Sequence, residues 1–211
     1  MITPSGALSP GPLSIATILV GSCLGWIAGL YVALGHMVFE LPYTLLLTRF
    51  SSVIRGFIER HRAVFSIAIT VFILWFTIPL VILGAQLMMG VNKVASTTAP
   101  TSFIGSYLSA FITGFILTGA NVFFLLWWVS VGLPLVIEAA ELGMKGFTIM
   151  YAAHVWLDYI WLCILAGIGS GSRLLGSQAY GLVILIASLL MLIYAVDIML
   201  RGVVGRTILK L

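Results

Sequence analysis

Two histidines and two carboxylates recur with the same spacing inside long apolar stretches of the chain. His36 precedes Glu40 by four residues, and His154 precedes Asp158 by four. On a helix this spacing places both side chains on one face, one turn apart. An ionisable side chain at the centre of a bilayer costs about 2.5–3.5 kcal/mol on insertion scales. Because the chain meets this cost twice, at matching places in its two halves, we expect the four groups to be functional.

An imidazole beside a carboxylate can share a proton with it, and the two then titrate as a coupled pair. The repeated pattern therefore predicts a proton relay or a polar binding point in the middle of the membrane. The plainer alternative is that each pair only hydrogen-bonds across the bundle and holds helices together. Two other readings stay open. The nitrogen and oxygen ligands could serve a divalent-metal exporter, and His36 and His154 could be axial ligands of a haem in an electron-transfer protein.

The composition requires a lipid environment. The chain of 211 residues is 62% hydrophobic and 8% charged, whereas a soluble domain carries about 25% charged residues. No basic patch with interleaved aromatic residues is present, which argues against nucleic acid as a partner. The motifs of phosphate loops, nucleophile elbows and metalloproteases are missing as well. We therefore expect a membrane protein that is not an enzyme and needs no cofactor.

Apolar segments of membrane-spanning length occur six times. At about 20 residues per span, the sequence predicts an all-α integral membrane protein with six transmembrane helices in a single domain, 1–211. The segments are Pro10–Leu24, Trp26–Leu47, Ala63–Met89, Ser102–Leu135, Gly146–Ile168 and Tyr180–Leu200.

Lysine and arginine are distributed unevenly between the two sets of loops. Eight of them fall on one side of the predicted spans, whereas only Lys93 and Arg173 fall on the other. The positive-inside rule then places both termini in the cytoplasm, in a multi-pass protein of the cell membrane. Residues 1–9 contain no lysine or arginine, so we do not expect a cleavable signal peptide at this start.

Helix-breaking residues occur in the first and fourth segments. They are Pro10, Gly11 and Pro12 in the first, and the stretch ending at Asn121 in the fourth. A helix that begins at membrane depth presents unpaired N–H groups and a positive dipole end, which suit a carboxylate ligand. An ordinary helix start and a continuous fourth span are the alternatives. With repeats at about 1–92 and 102–211, the pattern predicts a 3+3 inverted repeat in which helices one and four are broken.

Several motifs follow one another along the chain. The first half contains Pro10-Gly11-Pro12, then Gly25-Trp26-Ile27-Ala28-Gly29, then Gly35-His36. This order resembles the start of the lysine-exporter (LysE/RhtB-type) translocator family, and the similarity runs over nearly the whole chain. The stretch from Asn121 to Trp128 resembles the family's Asn-Pro motif in the aromatic-rich form of archaeal members, with Val122 in the place of proline. The stretch from His154 to Trp161 resembles its fifth-helix signature.

The resemblance implies a six-helix exporter of amino acids or similar small metabolites, driven by an ion gradient across the cytoplasmic membrane. Its partners would be an amino-acid-like substrate, protons and the lipid bilayer, and a homo-oligomer is left open. The predicted site for substrate and protons combines the broken helices with the two His/acid pairs: Pro10, Gly11, Pro12, His36, Glu40, Asn121, His154 and Asp158.

Overall fold

The computed structural model describes residues 11–91, 106–200 and 203. Within these residues the chain is helical and contains no strand, which confirms the all-α prediction for this part of the chain. Pro10 lies outside the described residues. The helices are α1 (Pro12–Leu24), α2 (Ile27–Arg60), α3 (Arg62–Met88), α4 (Tyr107–Ala120), α5 (Val122–Ser130), α6 (Leu133–Glu141), α7 (Gly143–Leu174) and α8 (Ser177–Met199).

Four of these helices are long and apolar enough to cross a membrane. They provide the stretches Ile27–Phe50, Ala63–Met88, Gly143–Leu174 and Ser177–Met199. Helices α1 and α4 are apolar but contain only 13 and 14 residues. At 1.5 Å per residue each is about 20 Å long, against a hydrocarbon core of about 30 Å. Four spans are therefore supported by length and composition, and the six-span arrangement stays a prediction.

Helix α2 extends well beyond the predicted end of the second apolar segment. The sequence placed that end at Leu47, whereas the helix continues to Arg60. Hydropathy falls after Thr48, but a helix needs only its backbone hydrogen bonds to continue into a polar stretch. Pro42 also lies inside α2 and does not end it. The boundary set by hydropathy is therefore the end of the apolar stretch and not the end of the helix.

The fourth apolar segment is interrupted at Asn121, where the sequence predicted a break. The backbone of Asn121 leaves the helical region, with φ −80° and ψ 87°. Its side-chain oxygen accepts the N–H of Phe124 at 3.3 Å, which satisfies one of the N–H groups that a helix start leaves unpaired. A second interruption follows near Gly132, and Pro134 then lies in the first turn of α6. The fourth segment predicted from the sequence ended at Leu135, and a separate helix at Leu133–Glu141 was not predicted.

The first helix of each half packs against the second helix of the other half, and the third helices pack against each other. We call these the exchanged pairs. Helix α1 lies along α7, α2 lies along α4, and α3 lies along α8. Glycines permit the close approach of α2 and α4. A Cβ atom added to Gly35 would overlap the carbonyl of Phe111, and one added to Gly114 would overlap the carbonyl of Val32. This contact brings α4 against the face of α2 that carries His36.

The same kind of contact joins α1 to α7. A Cβ atom added to Gly21 would overlap the backbone of Ala166, and one added to Gly169 would overlap the carbonyl of Ile18. Two groups of buried apolar side chains fill the remaining space. One involves α1, α2, α3, α4, α7 and α8, and the other gathers around Trp127, Trp128 and α6. The candidate site lies where the two groups meet, because residues of both line its cavity.

Candidate functional site

The two predicted His/acid pairs converge in one cluster between α2 and α7. Glu40 Oε1 lies 3.5 Å from His36 Nε2 and 3.3 Å from His154 Nε2. Asp158 Oδ2 lies 3.4 Å from His154 Nε2 and 4.0 Å from His36 Nε2. Each imidazole thus faces one carboxylate of its own helix and one of the other helix. All four residues are buried, with Glu40 at 0% exposure, so the cluster is shielded from the surroundings.

Hydrogen bonds determine which nitrogen of His36 carries a proton. The Thr118 hydroxyl donates to the carbonyl of Gly114 at 2.6 Å and lies 2.8 Å from His36 Nδ1. A hydroxyl has one proton to donate, so Thr118 accepts a hydrogen bond from His36 Nδ1–H. Neutral His36 would then have its lone pair on Nε2, facing the oxygens of both carboxylates. A proton on His36 Nε2 or on a facing carboxyl group would remove the repulsion between this lone pair and the carboxylate oxygens.

The two carboxylates have different surroundings. The indole N–H of Trp128 donates to Glu40 Oε1 at 2.9 Å, and the Tyr151 hydroxyl donates to Glu40 Oε2 at 3.3 Å. Asp158 Oδ2 is buried, and no described residue forms a hydrogen bond with it. Glu40 is consequently held by neutral donors in addition to the two imidazoles, whereas Asp158 Oδ2 faces only the imidazoles.

Aromatic rings surround both histidines. The ring of Trp127 stacks on His154 at a centroid distance of 5.9 Å, and Trp128 meets the same imidazole edge-on at 4.8 Å. Phe124 meets His36 edge-on at 5.1 Å. Aromatic faces attract a cation within about 6 Å. The stacked face of Trp127 can therefore support a protonated His154 in a place from which lipid and bulk water are displaced.

The cluster borders a cavity of about 60 Å³. At roughly 10–15 Å³ for each water-sized site, this is room for roughly four to six such sites. The start of α1 and the break at Asn121 reach the same cavity. The predicted site residues that line it are Gly11, Pro12, His36, Glu40, Asn121, His154 and Asp158. The structure therefore brings together every predicted site residue that it describes.

The helix starts at this cavity offer fewer free N–H groups than the sequence suggested. Pro12 has no N–H, and the N–H groups of Ser14 and Ile15 both point to the carbonyl of Gly11, at 3.0 and 3.3 Å. At the second start, Asn121 itself accepts the N–H of Phe124. The positive end of each helix dipole remains near the cavity, but these particular donors are already in use.

The cluster contains ligand atoms that could hold a metal ion. One ligand atom each from His36, Glu40 and Asp158 lies within 4.8 Å of the others. Imidazole nitrogen and carboxylate oxygen together suit divalent first-row cations. A haem fits poorly, because the Nε2 atom of each histidine is directed at carboxylates.

Three residues of this site, Thr118, Trp128 and Tyr151, are not among the predicted site residues. Tyr151 precedes His154 by three residues and so shares its helix face, which is a signal that could have found it. The hydroxyl of Tyr43, on the same helix as Glu40, donates to the carbonyl of Leu125 at 2.8 Å.

The fold and the site together define a class of protein. The described residues form apolar helices of spanning length, packed around a buried cavity of ionisable groups, as is typical of multi-pass membrane proteins. The family model described as LysE type translocator matches residues 4–202. The chain therefore belongs to the LysE type translocator family, which confirms the resemblance seen in the sequence.

No curated protein and no solved structure matches the chain. The proteins of this family are transporters and not enzymes. Membership implies a membrane exporter of amino acids or related compounds and a small-molecule substrate that crosses a lipid bilayer.

Proposed function

We propose that the chain is a proton-coupled secondary exporter of amino acids or related small metabolites, with its site in the cavity between α2 and α7. One observation carries the proposal. Imidazoles and carboxylates from both halves of the chain meet at 3.3–4.0 Å in a single buried cluster. Buried charges are costly to retain unless they are paired, and a cluster of this kind can pass between protonation states without leaving the shielded cavity.

The coupling would follow because a proton and the substrate ammonium compete for the same carboxylate. The cluster needs a proton between His36 and a facing carboxyl group, because Thr118 holds the other proton of His36 on Nδ1. A substrate ammonium entering the cavity supplies a positive charge that can pair with the same carboxylate, so that the shared proton is no longer required there. Reprotonation of the carboxyl group then weakens its hold on the ammonium. Export of substrate is thereby exchanged for entry of a proton.

The two carboxylates would have separate roles in this exchange. Glu40 accepts hydrogen bonds from Trp128 and Tyr151, and these donors hold it in one orientation. Asp158 Oδ2 borders the cavity without such a donor among the described residues. We assign the exchange of proton and ammonium to Asp158, and the fixed negative charge to Glu40.

The alternation of access would use the two halves of the chain as an inverted repeat. The repeats would be residues 1–92 and 102–211 of a single transmembrane domain, with six spans, broken first and fourth helices and both termini in the cytoplasm. The exchanged pairing of α1 with α7, α2 with α4 and α3 with α8 supports this plan, since a pseudo-twofold axis would generate it. Rocking of such halves opens a central site to each side in turn.

Proteoliposome efflux tests the proposal. The purified protein is reconstituted, loaded with each of the twenty standard amino acids singly, and assayed with and without an imposed pH gradient. We expect Asp158→Asn to abolish the acceleration of efflux by the gradient. Glu141→Gln is the matched control, because Glu141 is an exposed carboxylate at the end of α6. Full gradient-driven efflux by both Asp158→Asn and Glu40→Gln would refute the proposed mechanism.

Divalent-metal export, which the same ligand atoms leave open, predicts a different result. In that case loaded zinc or manganese would leave the proteoliposomes and none of the amino acids would. The two substrate classes are compared in the same vesicles with the same variants, so the assay decides between them.

A further inference from the structure

Trp161 has a buried hydrogen-bond donor with no partner among the described residues. Its indole Nε1 lies on α7 and is shielded from the surroundings. The indole of tryptophan can only donate, and buried donors are nearly always paired because an unpaired one is costly. Trp161 also lines the cavity of the candidate site. An N–H group in this position needs an acceptor, and the cavity is where one can enter.

This donor is one of three buried polar atoms on one helix face that form no hydrogen bond with the described residues. The described residues contain two further buried side-chain atoms of this kind, His154 Nδ1 and Asp158 Oδ2. Residues 154, 158 and 161 follow the i, i+4, i+7 spacing of one face of α7, and all three line the same cavity. Packing defects would be expected at scattered places. Trp161 Nε1 can donate a hydrogen bond and Asp158 Oδ2 can accept one. Together they suit a ligand that carries both an acceptor and a donor.

We propose that the Trp161 indole N–H is a ligand-recognition group that donates a hydrogen bond to the carboxylate of the exported substrate while Asp158 binds the ammonium. The assignment rests on the proposed function and adds to it a residue that selects for the carboxylate. A zwitterionic amino acid meets both requirements, whereas a simple amine meets only one.

Several other donors near the cavity are already in use, which favours the indole. The N–H groups of Ser14 and Ile15 point to the Gly11 carbonyl. The indole N–H of Trp128 donates to Glu40. The described lining residues include neither lysine nor arginine, so no permanently charged basic side chain among them competes for a carboxylate.

Substitution of the indole by a ring without N–H tests the assignment. Purified Trp161→Phe is compared with the wild type by calorimetric binding at one fixed pH, using the twenty standard amino acids singly and, for each that binds, the amine that lacks its carboxylate. We expect amino-acid affinity to fall at least about tenfold, since the lost hydrogen bond is made to a charged group. Binding of the amine should be unchanged. Trp156→Phe is the matched control, because Trp156 lies on the same helix but is 54% exposed.

Three results would overturn the assignment: unchanged amino-acid affinity in Trp161→Phe, an equal loss for amine and amino acid, or no binding of any amino acid to the wild type. If Trp161→Phe does not fold, a benzothienylalanine introduced at position 161 keeps the ring shape and replaces only the N–H by sulfur. The outcome is separate from that of the proposed function. Failure of proton coupling would appear as gradient-independent efflux in the wild type, whereas failure of the recognition role would appear only in these affinities.

Discussion

The hydroxyl of Thr118 offers the sharpest test of how the site holds its proton. In the wild type it accepts the bond from His36 Nδ1 and donates to Gly114. Thr118→Val keeps the branched shape of the side chain but leaves His36 Nδ1–H without its acceptor. Neutral His36 can then move its proton to Nε2 and donate directly to Glu40, 3.5 Å away. The requirement for an additional proton between the imidazole and the carboxylate is thereby removed.

The size of this change follows from the cost of an unpaired buried donor. That cost is about 1–3 kcal/mol, so the ratio of the two neutral tautomers of His36 should change by roughly 5- to 150-fold in favour of Nε2–H. The ¹⁵N chemical shifts of the imidazole nitrogens distinguish the tautomers directly in protein labelled at histidine. The signals of His36 are assigned by their loss in His36→Gln.

Thr118→Ser provides the control, because it keeps the hydroxyl and should keep the Nδ1–H tautomer. In proteoliposomes we expect Thr118→Val to export substrate with a weaker response to the pH gradient and Thr118→Ser to resemble the wild type. A His36 spectrum that is the same in Thr118→Val and in the wild type would show that Thr118 does not determine the tautomer. The inference of a shared proton would then lose its basis.

Three further results are expected. Trp128→Phe should lower the free energy of unfolding by about 1–3 kcal/mol, because a donor to the buried Glu40 carboxylate is lost. Thermal unfolding measures this change. Trp75→Phe is the control and should have little effect, because the Trp75 ring is exposed. Gly114→Ala should destabilise the folded protein by about 1–3 kcal/mol through overpacking between α2 and α4. Gly171→Ala should not, because a Cβ atom at Gly171 meets nothing within 4 Å. Equal unfolding midpoints for the two variants would contradict the tight contact between α2 and α4. Treatment with a chelator should leave amino-acid efflux unchanged, and metal bound in a 1:1 ratio to the purified protein, together with loss of efflux on chelation, would instead favour the metal alternative.

The spacing of His36 and Glu40 was enough to place both side chains on one helix face, because that relation depends only on helix geometry. The same holds for His154 and Asp158. The sequence alone could not show that the two faces meet, since this depends on how α2 and α7 pack. Proximity across the chain was therefore an expectation based on repetition, and the structure gives its distances.

The parts that sequence reasoning missed depend on packing between separate elements. Thr118 reaches His36 only because Gly35 and Gly114 allow α4 to lie directly against α2. Trp128 lies on the helix that begins after Asn121, and its indole N–H donates to Glu40 on α2. Tryptophan is apolar in its body and polar at one atom, and a hydropathy pattern records only the body. The break at Asn121 could be predicted because glycine and asparagine mark it locally.

The two His/acid pairs have the same spacing in the sequence, but their carboxylates have different surroundings in the structure. Glu40 lies within 3.5 Å of His36, His154, Trp128 and Tyr151. Asp158 Oδ2 has a single such neighbour, His154 at 3.4 Å, and no hydrogen bond from the described residues. Glu40 is thus held by several described neighbours, whereas Oδ2 of Asp158 has imidazoles beside it and no hydrogen bond from the described residues.

This difference predicts that two chemically matched substitutions, Glu40→Gln and Asp158→Asn, change stability and proton coupling to different extents. Glu40→Gln weakens several charge-assisted hydrogen bonds at once, and each of these contributes about 1.5–3 kcal/mol, so it should lower the unfolding midpoint clearly more than Asp158→Asn. Asp158→Asn should keep a near-wild-type midpoint and still lose the response of efflux to the pH gradient. Both quantities are measured on the same purified variants. If Asp158→Asn proves the less stable of the two, or if Glu40→Gln alone loses coupling, the roles of the two carboxylates must be exchanged.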